Sequence, residues 1–106
     1  MPKYLVQASY TAEGLKGLQT DKASGRKAAV SQAVERLGGK LDAMYYVLGE
    51  DDVIVILDLP DHVSASAFSL AVSASGLVRT KTTSLLTVEE TDKALQKSVA
   101  YRAPGR

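Results

Sequence analysis

The chain has 106 residues, with thirteen lysines and arginines against twelve aspartates and glutamates, one histidine and no cysteine. A net charge of +1 leaves no electrostatic footprint for nucleic acid or an anionic membrane, and the lack of cysteine excludes disulfides, thiolate metal sites and thiol nucleophiles. One domain with a single core fits this length. Nowhere do about eighteen apolar residues run together, and the first ten hold no apolar signal segment, so the expectation is a soluble, unprocessed, cytoplasmic protein.

Lys3 to Ser9 alternates with the period of a strand, setting Tyr4, Val6 and Ala8 on one side and Leu5, Gln7 and Ser9 on the other. Thr11 can cap a short turn carrying Leu15 and Leu18. Gly14 and Gly17 each cost about 1 kcal/mol inside a helix, which predicts an irregular or frayed segment there. From Ser24, Val30, Ala33, Val34 and Leu37 recur at helical spacing, and Gly38-Gly39 supplies the left-handed stop of an amphipathic helix. Leu41 to Leu48 and Val53 to Leu59 read as two strands joined by the acidic turn Gly49-Glu50-Asp51-Asp52. The second is apolar on both sides and is therefore expected at the centre of a sheet.

Pro60-Asp61 ends that sheet segment and caps a second helix, with Val63, Ala67, Leu70, Ala71 and Ala74 as its expected inward stripe and Gly76 as its end. Its remaining positions are mostly serine, and no acid, lysine or arginine occurs between His62 and Val78, so another element can approach it closely. Leu77 to Leu85 is a threonine-rich fourth strand. Thr87 and Glu90 have capping-box spacing for a last helix through about Val99, whose lysines and Gln96 suggest a solvated outer face. The expected organisation is a single domain over residues 1–99 with a flexible tail at 100–106.

The order strand, helix, strand, strand, helix, strand predicts an α+β fold, a ferredoxin-like βαββαβ sandwich with an extra C-terminal helix and both long helices on one face of an antiparallel sheet. The alternation turns Tyr4-Val6-Ala8, Leu41-Ala43-Tyr45-Val47 and Val53-Val55-Leu57 toward the helices. The bare face is left with Leu5, Gln7, Met44, Tyr46, Ile54, Ile56, Arg79 and Lys81. That mixture is too apolar for water and too polar for a core, which points to a homodimer or higher homo-oligomer packed sheet against sheet around a possible small-molecule pocket.

Lys3-Tyr4-Leu5-Val6 with Tyr10-Thr11 and Gly14, Gly38-Gly39-Lys40-Leu41, Val53 to Asp58 before Leu59-Pro60, and Arg79-Thr80-Lys81-Thr82-Thr83 before Leu85-Leu86-Thr87 together resemble the bacterial GYD-domain family over about the first ninety residues. The resemblance implies a ferredoxin-like domain of the dimeric α/β-barrel type and supplies no function. The family is named for a glycine, tyrosine and aspartate around the hairpin turn. Gly49 and Asp52 match, but Asp51 stands in place of the tyrosine, so no role of that ring carries over.

The candidate ligand-binding residues are Arg79, Lys81, Tyr46, Gln7, Ile54 and Ile56. Arg79 and Lys81, two apart on one strand, lie on one face about 7 Å from each other, a spacing at which two cations can grip a carboxylate or phosphate. The plainer reading pairs them with acids such as Asp42 or Asp58. His62, in the first turn of the second helix, reads as a surface histidine rather than a haem or metal ligand, and the acidic turn reads as solvated rather than as a calcium loop. No cofactor or metal is expected. Catalysis by a serine nucleophile lacks both a glycine-flanked elbow and a second histidine. The leading expectation is a homodimeric domain binding a small, partly apolar anion between sheets, with no membrane or nucleic-acid partner. The alternatives are a cofactor-free oxygenase- or isomerase-like enzyme and a purely structural assembly module.

Overall fold

The computed structural model describes residues 1–106. Four strands, β1 (Lys3–Tyr10), β2 (Lys40–Tyr46), β3 (Val53–Asp58) and β4 (Val78–Leu85), form one antiparallel sheet in the order β2-β3-β1-β4. Two helices cover one face, α1 (Ala12–Arg36) and α2 (His62–Ala74), and α3 (Val88–Gln96) follows β4. The α+β sandwich and the central place of β3 agree with the sequence reading, and β1 is the other central strand. The barrel does not: β2 and β4 are free edges that never meet, so the sheet is open, and the expected α/β-barrel type is replaced by a two-layer sandwich with a bare face.

The core lies between the sheet and the helices. Tyr4, Val6, Val55 and Leu57 from the central strands, with Val34 from α1 and Ala65 and Phe68 from α2, are at most 6% exposed, and Leu59 seals the end of β3. On α2 the inward stripe is Ala65, Phe68 and Val72, not the predicted Val63 and Leu70, which lie 78% and 70% exposed. Phe68 decides the rotation, because burying one aromatic ring removes more apolar surface from water than burying Val63. Two hydroxyl pairs, Ser69 with Thr82 and Ser73 with Thr80, then tie α2 to β4.

The segment after Thr11 is helical, not frayed. Thr11 is the N-cap and accepts a hydrogen bond from the Gly14 amide at 3.2 Å. Glycine is needed at 14 because any Cβ there runs into the Leu77 carbonyl, the same oxygen that accepts the Thr11 amide at 2.9 Å. The local glycine penalty is thus outweighed by a backbone contact between the start of α1 and the start of β4. A break remains at Lys22, whose φ of 64° interrupts the helical run. At the far end Gly38 has φ 80°, and its amide and that of Gly39 close on the Glu35 and Val34 carbonyls, a Schellman ending.

Candidate functional site

Strand register decides which side chains share the bare face. Lys81, Gln7 and Ile54 stand in one cross-strand row with Tyr45, while Thr83, Leu5 and Ile56 stand in the next with Ala43. Arg79 lies opposite Ser9, one step nearer the hairpin. Five of the six predicted site residues, Arg79, Lys81, Gln7, Ile54 and Ile56, therefore fall on the bare face.

Tyr46 does not. The pairing of β2 with β3 shifts register between Leu41 and Ala43, so Asp42 is an extra residue and every later side chain on β2 changes face. Met44 opposes Val55 and Tyr46 opposes Val53 on the helix side, while Ala43 and Tyr45 turn to the bare side, the reverse of the strict alternation. The Tyr46 hydroxyl lies 3.4 Å from that of Tyr10, and partial burial, then this contact, holds its acidity well below that of a free phenol. Tyr45, 63% exposed, takes its place as the aromatic wall of the bare face.

Polar groups hold the two ends of this face. At one end Lys3 donates to Asp58 at 2.7 Å and to Asp42 at 3.1 Å, and these hydrogen bonds, that to Asp58 first, raise the lysine pKa. The two acids named beforehand as partners for Arg79 and Lys81 thus serve Lys3 instead. At the hairpin end Asp51 folds back over the sheet and accepts from Gln7 Nε2 at 3.2 Å and Ser9 Oγ at 3.3 Å, with Lys81 Nζ at 3.5 Å. Its side chain is 13% exposed, so the expectation of a solvated acidic turn fails at this residue, although Glu50 beside it is exposed. Asp52 also faces the protein and accepts the Tyr10 amide at 2.8 Å, which locks the turn onto the end of β1.

Arg79 takes part in none of the ion pairs. It lines, with Ser9, Glu50, Asp51, Thr80 and Lys81, a shallow cleft of about 310 Å³. Between the polar ends lies an apolar band of Leu5, Ala43, Tyr45, Ile54 and Ile56, on the side of the sheet away from α1 and α2. Leu5, Tyr45 and Asp51 were absent from the predicted set. Leu5 was recoverable from its place beside Gln7, and Tyr45 and Asp51 were not, because one depends on a bulge and the other on how a turn folds.

His62 stands on the other side of the sheet. Its Nδ1 is 2.8 Å from the hydroxyl of buried Tyr4, and their rings meet edge to face at 5.9 Å. The two residues line a cleft of about 350 Å³ with Ser66, Ser69, Thr82 and Ser84. No group of three or more histidine, cysteine, aspartate or glutamate side chains is placed to hold a metal ion.

The sequence profile of the GYD domain matches residues 4–95. The chain belongs to the GYD domain family. Its matched region spans β2, β3, β4, α1 and α2, and all but the first residue of β1 and the last of α3. No curated protein matches the chain. Within this GYD domain the acidic turn has a structural role: the Asp51 carboxylate organises Gln7, Ser9 and Lys81. No helix is long and apolar enough to cross a membrane.

Proposed function

We propose that this GYD domain acts as a homodimer packed through its bare sheet faces, which enclose a small, partly apolar molecule bearing one anionic group. The observation that carries the reading is the combination, on one uncovered surface, of the apolar band with a cation that no acid answers. Ile54, Ile56, Leu5 and Tyr45 form the walls, and Arg79 receives the anionic group with a planar fork suited to a carboxylate or phosphate. Lys81 has a smaller part than the sequence suggested. Asp51 already partners it, and at the hairpin end Arg79 alone is left without an acid, which suits one carboxylate-sized group rather than a polyanion.

The same ion pair favours a second reading, in which the face is an assembly surface and the polar cluster around Asp51 is sealed inside the seam. Native mass spectrometry of the purified protein separates the two. Retained mass on a dimer, lost in Arg79→Gln with the dimer intact, is the expected result. A ligand-free dimer that Arg79→Gln leaves unchanged supports assembly alone, and a monomer by light scattering at micromolar concentration contradicts both.

A further inference from the structure

Residues 86–106 carry an amphipathic helix that buries none of its residues. The α3 cap is complete: the Thr87 amide donates to Glu90 Oε1 at 2.9 Å and the Glu90 amide to Thr87 Oγ1 at 3.0 Å. The backbone contact, then the Thr87 side chain, lowers the Glu90 pKa. Val88, Thr91 and Leu95 share one side of the helix, opposite Glu89, Glu90 and Lys93. Yet no residue of α3 is buried, no element packs extensively against it, and Leu86, Val88, Leu95, Val99 and Tyr101 are 68–78% exposed. A nine-residue helix without extensive tertiary packing falls below the roughly 12–15 residues at which isolated helices become even marginal in water. So specific a cap on so short a helix requires a surface to pack on.

The protein's own body does not supply that surface. The chain extends 56 Å along its longest axis, and its radius of gyration is 16.9 Å, where a compact chain of this length has about 13 Å. A second copy fits on two grounds. First, the arm continues the bare face: Leu85, opposite Lys3 on that face, is followed directly by exposed Leu86 and Val88. Second, the bare face alone is too small. It presents roughly a dozen side chains, against about 20–30 residues per side in a standard stable interface, and the arm supplies most of the shortfall.

We propose that residues 86–101 are an exchanged arm: in the homodimer each chain lays the Leu86, Val88 and Leu95 stripe against the other chain's sheet, extending the contact made by the bare faces. This rests on the sheet-to-sheet dimer proposed above. A two-fold interface makes the exchange reciprocal, so each arm counts twice.

The test compares the dimer dissociation constants of four proteins by sedimentation equilibrium: the full chain, a chain ending at Leu86, Val88→Asp/Leu95→Asp, and Ile54→Lys. The truncation and the double variant are expected to weaken the dimer at least about 30-fold, the loss of two apolar anchors, with the sheet's circular dichroism retained. Unchanged affinity in both overturns the arm. If Ile54→Lys alone breaks the dimer, the sheet reading survives and the arm does not. If the arm variants alone break it, the arm stands and the sheet contact is wrong. Because the chain has no cysteine, a spin label at Gln96→Cys mixed with unlabelled, isotopically enriched chain reports the contact directly. Line broadening on strand amides of the enriched chain supports exchange; no broadening there, with broadening of the same amides when label and isotope are on one chain, shows the arm folding onto its own body and overturns the exchange.

Discussion

The two faces of the sheet are built from the same strands, one residue out of phase, and they differ in what they do. On the covered face Tyr4, Val6, Ala8, Val53, Val55 and Leu57 are all nearly inaccessible, and the polar groups there are hydroxyls paired with each other or with His62. On the bare face Leu5, Gln7, Ile54 and Ile56 are half-buried, shielded by cross-strand neighbours and, at Gln7, by Asp51, and the charged groups collect at its two ends. Hydrophobic burial thus holds the monomer together from one side. The other side keeps apolar surface that gains most when something else covers it.

Removing side chains from each face tests this contrast. Leu57→Ala, at a position with no exposure, is expected to lower unfolding free energy by about 3 kcal/mol in urea titration, the transfer cost plus a cavity. Ile56→Ala, its neighbour on the bare face, is expected to cost about 1 kcal/mol in dilute protein, where the side chain is still partly wet. If the proposed dimer forms as protein concentration rises, that cost is expected to climb toward the Leu57 value. A cost independent of concentration breaks the contrast, because it means nothing further covers the bare face.

The central place of β3 was legible because β3 is apolar on both sides, so its placement followed from burial alone. So was the stop at Gly38-Gly39, where the backbone itself requires glycine. What failed depended on contacts between distant residues. The Asp42 bulge is a property of the pairing with β3, and it moved Tyr46 off the candidate site and Tyr45 onto it. The stripe on α2 was counted with Val63 and Leu70 and turned by Phe68. The helix at 12–21 was judged on the cost of Gly14, without sight of the Leu77 carbonyl that makes glycine necessary. The barrel came from resemblance, and nothing in one chain's four strands closes the sheet.

Asp51 gives a smaller, sharper test of the charged end. Asp51→Asn keeps an acceptor for Gln7 and Ser9 and removes the charge that faces Lys81. Lys81 is 64% exposed, so solvent screening limits the loss to a few tenths of a kcal/mol. Asp51→Ala also removes the two hydrogen bonds and is expected to cost about 1 kcal/mol. Should the two variants prove equally destabilised in denaturant melts, charge rather than hydrogen bonding holds the turn down. The Asn variant then also sharpens the ligand reading, since freeing Lys81 adds a second cation beside Arg79 and is expected to tighten binding of an anion.

The smallest expected effect lies on the covered face at alkaline pH. Tyr46 loses its proton later than a free tyrosine because burial, and then the Tyr10 hydroxyl, disfavour the phenolate in the folded state. A folded pKa raised above the unfolded value means that the folded protein holds the proton longer. The contribution is therefore fully present below the ordinary tyrosine pKa of about 10 and is lost as pH rises through the higher folded value. Lys3, raised by Asp58 and Asp42, pushes stability in the same direction, so the slope of stability against pH does not by itself identify Tyr46. Tyr46→Phe isolates it: the latest step in the tyrosinate absorbance titration of the five tyrosines is expected to disappear, and the alkaline fall in stability to become shallower. If the late step persists in Tyr46→Phe, another tyrosine is the shielded one. The flipped register of β2, on which the assignment of Tyr46 to the covered face depends, then loses its solution support.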